Sequence, residues 1–183
     1  RTVSDLKLRL GYGVTGQQDG IGLYDYITYY TLSNNAAQYQ LGNNYYNLFR
    51  PNGYYANRQW EQTETYNVGL DYALFDNRIT GSIEGYLKNT TQLLNEIDQP
   101  AGTNFSNKIV ANVGSMENRG VEFNISADIV KTKDLTWNVG FNATYNKNEI
   151  TKLTISNNPD FKGNTYGGIS GGTGTTLFIN SVG

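Results

Sequence analysis

The chain has 183 residues, with 14 lysines and arginines against 16 aspartates and glutamates, and it contains no histidine and no cysteine. This balance gives no basic footprint for nucleic acid, and it removes disulfide frameworks, thiolate nucleophiles and the usual transition-metal ligands, so we expect no metal site and no cofactor. Apolar residues make up only 38% of the chain, but 15 tyrosines, 7 phenylalanines and 2 tryptophans stand beside 21 glycines, a mixture that favours strands.

Several segments alternate apolar and polar residues with the period of two that is typical of a strand. From Leu6 to Val14, every second residue is apolar, and the intervening positions include Lys7, Arg9, Gly11 and Gly13. The same pattern recurs four times. We predict strands near residues 5–14, 62–74, 78–88, 119–130 and 135–146.

The segment at 78–88 fits this pattern less well than the others. Gly81 and Gly85 fall on the same side as Ile79 and Ile83, and Tyr86 falls on the polar side. The sequence alone offers no reason for these exceptions.

The connections between the predicted strands are of two kinds. Short turns follow residues 74 and 129, whereas residues 15–61, 89–118 and 147–183 form long loops rich in Asn, Tyr and Gly. Compact soluble domains seldom contain several loops of this length. With strands running alternately up and down, all short turns lie at one end and all long loops at the other, which is the layout of an outer-membrane β-barrel.

A spanning sheet must close on itself because lipid offers no partner to an unpaired backbone group. About five strands cannot close, since the smallest outer-membrane barrels have about eight. We therefore predict an all-β fold in which residues 1–183 are part of one antiparallel transmembrane β-barrel domain, with long extracellular loops.

Two glycine motifs invite a nucleotide-binding interpretation. Gly11, Gly13 and Gly16 have dinucleotide-binding spacing, but no helix start and no acidic residue follow at the required distance. The stretch at 170–176 resembles a phosphate loop but lacks the Gly-Lys-Ser/Thr step. We interpret Gly11 and Gly13 as leaving room on the lumen face, Tyr12 as marking the outer membrane interface, and Gly16 as opening the first extracellular loop.

Catalysis has little support in the sequence. Glu61 and Glu64 are acidic neighbours that could act as an acid and a base on a glycosidic bond, but at the start of a strand they more simply face water or the lumen. We expect no catalytic residues.

Two groups of side chains are candidate binding residues. The first is a polar row that would face the barrel lumen and contact either substrate or a plug: Lys7, Arg9, Asn67, Asp71, Glu84, Glu122 and Asn124. The second is a set of aromatic residues in the first long loop, which could stack on sugars, pack against a lid protein or pack on one another: Tyr45, Tyr46, Tyr54, Tyr55 and Trp60.

Four stretches resemble the C-terminal barrel region of the SusC/RagA family of TonB-dependent outer-membrane transporters. They are LKLRLGYGVTGQQDGIGLYDY (6–26), WEQTETYNVGLDYALFDNRITGSIEGYLKNTTQLL (60–94), NVGSMENRGVEFNIS (112–126) and WNVGFNATYNKNEITKL (137–153). The resemblance implies that these strands belong to a bacterial outer-membrane barrel, which in this family has 22 strands. It also implies a SusD-like lipoprotein partner, an oligosaccharide or peptide substrate, and energy from TonB through an N-terminal plug that this chain does not include.

Two other functions remain open on the residues alone. A soluble or surface-anchored β-sandwich that binds carbohydrate would show similar alternation, and a passive porin would share the barrel.

Overall fold

The computed structural model describes residues 2–34, 37–154, 160–172 and 174–183. In chain order, its strands are β1 (Val3–Gln17), β2 (Tyr30–Leu32), β3 (Gln38–Leu41), β4 (Asn44–Asn47), β5 (Phe49–Pro51), β6 (Glu61–Leu74), β7 (Ile79–Asp98), β8 (Lys108–Lys131), β9 (Thr136–Lys152), β10 (Asn164–Gly168) and β11 (Thr176–Asn180). Five of them form one antiparallel sheet in the order β1-β6-β7-β8-β9, and the other six form three two-stranded sheets, β2-β5, β3-β4 and β10-β11. Within the described residues, no helix has the length and apolar character needed to cross a membrane.

One face of the five-stranded sheet is apolar across all five strands, and we call it the apolar face. Because register partners on antiparallel strands share a face, the ladder can be read as rows across the sheet. Three such rows are Leu6-Tyr72-Gly81-Ile125-Phe141, Leu8-Leu70-Ile83-Phe123-Ala143 and Leu10-Val68-Gly85-Val121-Tyr145. Leu10 is 76% exposed, so nothing within the described residues covers this face at its centre.

The opposite face, which we call the polar face, carries small and hydrophilic residues in every row between these. Its rows include Lys7-Asp71-Ser82-Asn124-Asn142 and Arg9-Gly69-Glu84-Glu122-Thr144. The sheet therefore separates apolar from polar side chains completely over its central rows, as the period of two requires.

The strands are longer than the sequence predicted, and the long loops are correspondingly shorter. The segment at 89–118, predicted as a loop, is mostly the paired ends of β7 and β8, and the connection between them is only 99–107. Polar residues such as Thr90 and Asn95 pair as readily through their backbones as apolar ones do, so loss of apolar alternation does not mark a strand's end. Residues 35–36, 155–159 and 173, which belong to predicted loops, lie outside the described residues.

The first strand also continues past its predicted end. Gly16, interpreted from the sequence as the start of a loop, lies inside β1 and pairs with Gln62. The room beside Gly11 is occupied by the side chain of Asn67, whose Oδ1 would clash with an added Cβ, whereas Gly13 has nothing within 4 Å. The interpretation of Gly16 was wrong, because glycine spacing carries no information about backbone pairing.

Large side chains lying over glycines explain the irregular pattern of residues 78–88. Tyr72 lies over its register partner Gly81 on the apolar face, with its hydroxyl 2.5 Å from where a Cβ would stand. On the polar face, Tyr86 covers its partner Gly120 in the same way, at 2.6 Å. In each pair, the tyrosine ring occupies the space that a side chain on the partner glycine would fill.

The two short turns lie at one end of the sheet. Between β6 and β7, Phe75, Asp76 and Asn77 all adopt positive φ, at 54°, 55° and 65°. The turn is held by Phe75 N donating to Thr2 O at 3.1 Å and Arg78 N donating to Phe75 O at 3.2 Å. The β8–β9 turn closes through Thr132 N, which donates to Leu135 O at 2.8 Å.

A small buried cluster lies at the other end, where β7 and β8 extend beyond the central rows. Ile109, Ala111 and Val113 are buried there, and Tyr55 and Ile97 pack against them. Further along the chain, Gly183 N donates to Ile150 O at 3.1 Å, so the backbone after β11 returns to the edge of β9. These contacts attach the loops to the extended ends of the strands.

The glycine under Tyr86 yields a stability prediction for the full-length protein that contains this chain. A Gly120→Ala substitution places a Cβ 2.6 Å from both Tyr86 Oη and the backbone oxygen of Tyr145, and we expect it to cost about 1–3 kcal/mol through overpacking. Folded fraction in a urea series, read from gel mobility without heating, measures this. Gly13→Ala, also on the polar face but with open space around it, is the control, and equal losses in both variants would contradict the prediction.

Candidate functional site

The residues predicted to face the lumen all lie on the polar face. Asp71 is the register partner of Lys7, and Glu84 is the register partner of Glu122. The seven members occupy three adjacent rows of the sheet: Lys7, Asp71 and Asn124 in one, Arg9, Glu84 and Glu122 in the next, and Asn67 in the third. The sheet therefore gathers residues that are far apart in the sequence.

Arg9 links three strands through its guanidinium group. Its Nε donates to Asp71 Oδ2 at 3.0 Å, and its Nη2 donates to Asp71 Oδ1 and to Glu84 Oε2, both at 3.0 Å. Arg9 reaches Glu84 because Gly69 separates them in the row, and a Cβ at Gly69 would stand 2.9 Å from Nη2. No sequence pattern indicates this network, since it depends on which strands are neighbours.

Among the described residues, two charges of this group make no ion pair, those of Lys7 and Glu122. Glu122 stands directly opposite Glu84, and like charges in such a pair destabilise a sheet. Arg9 compensates Glu84, but among the described residues no cation pairs with Glu122. Glu122 is exposed on the polar face, where it is available to a cationic or hydrogen-bonding group from outside the sheet.

A cleft of about 860 Å³ lies at the end of the sheet opposite the short turns. We call it the loop cleft. Three of the five aromatic candidates line it: Tyr54, Tyr55 and Trp60. Tyr45 and Tyr46 lie apart from it on the β3–β4 hairpin and are half exposed.

Most of the sheet residues that line the loop cleft lie on the apolar face. Trp60 Cε3 is 3.4 Å from where a Cβ on Gly16 would stand, and Gly16 points to the same face as Leu10 and Tyr12 because the register of β1 is unbroken between them. Val14 from that face lines the cleft as well. The aromatic candidates and the polar row are therefore separate sites on opposite faces.

The three cleft aromatics differ in how firmly they are held. Tyr55 packs on the buried cluster of β8, and Tyr54 is clasped through its backbone by Asn104, which accepts from Tyr54 N at 3.1 Å and donates to Tyr54 O at 2.7 Å. Trp60 is 60% exposed. Of the three, Trp60 is thus the most available for contact with another molecule.

An ion pair that sequence reasoning missed forms one wall of the loop cleft. Arg58 donates through Nη1 to Asp25 Oδ2 and through Nη2 to Val110 O at 3.0 Å, with only 14% of its side chain exposed. Asp25 also accepts from Gly22 N at 2.9 Å. The sequence did contain a signal, because Asp25 is the last acidic residue before Glu61.

A second groove, of about 770 Å³, lies between the β7 and β8 extensions and the β10–β11 hairpin. Glu96 accepts a hydrogen bond from Lys108 Nζ at 2.7 Å, and this bond raises the pKa of Lys108 above its usual range. The Nδ2 atom of Asn164, which also lines the groove, is buried without a partner among the described atoms.

The possible acid–base pair of Glu61 and Glu64 is not assembled. Residues three apart on a strand point to opposite faces, and the two side chains have different partners. Glu61 Oε1 accepts from Leu94 N at 2.9 Å, and Glu64 Oε2 accepts from the Tyr66 hydroxyl at 3.4 Å. The site's chemistry is binding through aromatic, amide and charged groups.

Comparison with known proteins agrees with this geometry. The family model described as "TonB dependent receptor-like, beta-barrel" matches residues 3–180. The chain is 45% identical over 181 residues to the TonB-dependent receptor SusC of Bacteroides thetaiotaomicron, covering 99% of this chain and 18% of that protein. It is 38% identical over 153 residues to a TonB-dependent receptor of Formosa agariphila, covering 81% of this chain and 14% of that one.

Among solved structures, the RagAB peptide transporter aligns with a TM-score of 0.65 at 29% identity, covering 83% of this chain and 16% of the matched chain. A structure of the RagAB peptide importer in the "closed-closed" state aligns with a TM-score of 0.66 at 27% identity, covering 87% and 17%. The chain spans less than a fifth of the length of the curated relatives it matches.

A long-stranded antiparallel sheet with one apolar and one polar face is the wall of a transmembrane β-barrel. The chain belongs to the TonB-dependent receptor β-barrel family, and its SusC and RagAB relatives confirm the family resemblance seen in the sequence. It is therefore part of an outer-membrane barrel and not of an enzyme. In such a barrel we expect the apolar face to be the lipid-facing side, and the family's 22-strand count stays a prediction for this protein.

The partly buried ion pair of Arg58 with Asp25 yields a prediction about the loop cleft. Arg58→Ala leaves the partly buried carboxylate of Asp25 without its cation. Because the unpaired carboxylate destabilises the closed loop, we expect the loop to open about tenfold more often. Limited proteolysis of the full-length protein in detergent measures the opening as a faster cleavage within 18–60. Arg50→Ala, which removes an arginine of β5 from the same loop, should cleave at the unaltered rate. Identical rates for both variants would contradict the role given to Arg58.

Proposed function

We propose that the protein containing this chain is a TonB-dependent importer that takes up oligosaccharides or peptides through the outer membrane, together with a SusD-like surface lipoprotein. The observation that carries the proposal is the separation of faces, because an apolar outer face and a charged, hydrogen-bonding inner face suit a barrel that passes polar solutes. Energy would come from TonB through a part of the protein outside residues 1–183.

The relatives support this proposal without deciding the substrate. SusC is named as a TonB-dependent receptor and RagAB as a peptide transporter. The aromatic rings of the loop cleft suit sugar faces, while the amides of the polar face and the carboxylate of Glu122 suit either a peptide backbone or sugar hydroxyls. Both substrate classes therefore remain in the proposal.

The polar face has a specific role in this proposal. Glu122 lies in the middle of the inner wall with an unmet charge, so it is placed to accept a cationic or hydrogen-bonding group of the plug or of a passing substrate. Arg9, already bound by Asp71 and Glu84, stiffens the wall beside it. Lys7, Asn67 and Asn124 extend the same surface on both sides.

The loop cleft has a different role. It lies at the long-loop end, against residues of the apolar face, and of the three candidate rings that line it Trp60 is the most exposed. A ring in that position is better placed for packing against a surface lipoprotein at the rim than for contacting solute inside the barrel.

A β-sandwich that binds carbohydrate would need a second sheet over the apolar face. Within the described residues, each other sheet has only two strands, and the family match assigns the chain to a receptor barrel. A passive porin shares the barrel but does not require TonB, so TonB dependence separates it from the proposal.

Growth of the source bacterium tests the function directly. A strain lacking this gene should lose growth on an oligosaccharide or an oligopeptide mixture as sole carbon source, and a strain lacking TonB should show the same loss, while growth on a monosaccharide is unaffected. Uptake of the labelled substrate that persists without TonB would instead indicate a passive porin. Unaltered growth on every oligosaccharide and peptide mixture would contradict import.

The loop cleft is tested by aromatic substitution in the full-length transporter. Tyr54→Ala with Trp60→Ala should weaken co-purification of the lipoprotein by about tenfold, because rings at the centre of an interface each contribute more than 1 kcal/mol. Tyr45→Ala with Tyr46→Ala on the neighbouring hairpin is the control and should retain the partner. Unchanged lipoprotein association and unchanged uptake in the first variant would remove both binding roles from these rings.

The lumen-facing charge yields a further prediction. Glu122→Gln keeps the shape and removes the charge, and we expect uptake to fall severalfold while the amount of folded protein in the outer membrane is unchanged. Glu117→Gln on the same strand changes the same charge on the opposite face and should leave uptake at its original rate. Equal uptake by all three proteins would show that the carboxylate of Glu122 has no role in the lumen.

A further inference from the structure

The apolar face ends in two rows of charged residues at the long-loop end. In the first row, Arg119 of β8 is the register partner of Lys147 of β9, and in the next row on the same face Glu117 is the register partner of Glu149. Residues of the same sign thus stand directly opposite each other across the two strands. The charges are sorted by sign into a cationic row nearer the lipid and an acidic row beyond it.

This sorting is unfavourable for the sheet taken alone, because like charges directly opposite destabilise a strand pair. The compensating ion pairs run along each strand instead. Arg119 Nη1 lies 3.4 Å from Glu117 Oε1, and Lys147 Nζ lies 2.6 Å from Glu149 Oε2. Exchanging one cation with its acidic neighbour would place opposite charges across both rows, so folding stability does not account for the arrangement.

Tyrosines accompany the cationic row and indicate that it lies at the depth of the lipid headgroups. The row contains Tyr12 and Tyr66, whose rings pack with centroids 5.0 Å apart. The row below it holds Tyr145, which is 70% exposed. Tyrosines concentrate at membrane–water interfaces, and these three mark the upper boundary of the apolar face.

We propose that Arg119 and Lys147 together bind the phosphate of a lipid headgroup in the outer leaflet of the outer membrane. Cβ atoms of opposed residues lie about 4.5–5.5 Å apart, so the two cations can grip one phosphate, the guanidinium through two donors and the ammonium as a point charge. Both side chains are open to the surroundings, 56% and 46% exposed. A layer of anionic headgroup phosphates beside the cationic row explains why the charges are sorted by sign into separate rows.

The intramolecular partners do not prevent this binding. Exposed ion pairs contribute little to stability, so a phosphate with greater charge can displace Glu117 and Glu149. These carboxylates lie one row farther from the lipid, and they pair with the cations when no headgroup is bound. The proposal rests on the outer-membrane location of the family and is independent of what the protein transports.

The test uses the full-length protein in lipid nanodiscs of phosphatidylcholine, with added lipid A in its phosphorylated or dephosphorylated form. The wild type should unfold at a higher temperature with phosphorylated lipid A than with the dephosphorylated form. Arg119→Gln with Lys147→Gln should lose this difference and retain roughly thirtyfold less lipid A on purification, as expected for two cations beside an anionic surface. Mass spectrometry measures the retained lipid.

Lys131→Gln with Lys133→Gln is the matched control, since it removes the same charge at the turn that joins the same two strands. It should behave as the wild type does. Equal loss of lipid in both double variants would overturn the proposal, and so would equal stabilisation of the wild type by the two forms of lipid A. Inorganic phosphate alone producing the full stabilisation would also overturn it, because the site would then bind a free anion.

A second variant guards against a folding defect. The row-swapped protein E117R, R119E, K147E, E149K keeps the composition and the ion pairs along each strand but moves the cations away from the lipid. It should fold to the wild-type level on a gel run without heating and lose the preference for phosphorylated lipid A. Retention of that preference would show that the position of the cations, and hence this site, is not what binds the headgroup.

Discussion

The structure depends on the uninterrupted antiparallel register that runs from β1 to β9. Across the central rows, the ladder has no shift, so each side chain keeps its face from one strand to the next. A slip of one residue would turn every apolar side chain of a strand toward the lumen. In a membrane, the same ladder also provides hydrogen-bond partners for the backbone groups, which lipid cannot do. The one register therefore achieves both the pairing of the backbone and the separation of apolar from polar faces.

Side chains that lie over glycines reinforce this register. Arg9 crosses Gly69, Tyr72 covers Gly81, and Tyr86 covers Gly120. Each contact exists only when the two strands have the observed alignment, because the next residue on the neighbouring strand has a side chain in the way. The 21 glycines of the chain are thus explained in part by close approach between strands, and the irregular pattern at 78–88 follows from it.

Departures from regular pairing occur outside the central rows. The β7–β8 ladder shifts near Gln92, which has a φ of 58°, and the β8–β9 ladder shifts between Asp128 and Val130. Beyond the first of these, the strands leave the apolar face and support the buried cluster, the loop cleft and its ion pair of Asp25 with Arg58. The same strands therefore pair regularly in the membrane-facing sheet and irregularly at its end, where they carry the binding surfaces.

The sequence by itself determined the all-β class, the approximate position of the five long strands, which residues face the apolar and polar sides, and the family. These depend on alternation and local similarity, which are properties of neighbouring residues. Only the tertiary structure decided the strand ends, the charge network of Arg9, the isolation of Glu122, the separation of Trp60 from Tyr45 and the pairing of Arg119 with Lys147. Each of these depends on which residues of distant strands are register partners, and backbone pairing leaves no period in the sequence from which that alignment can be read.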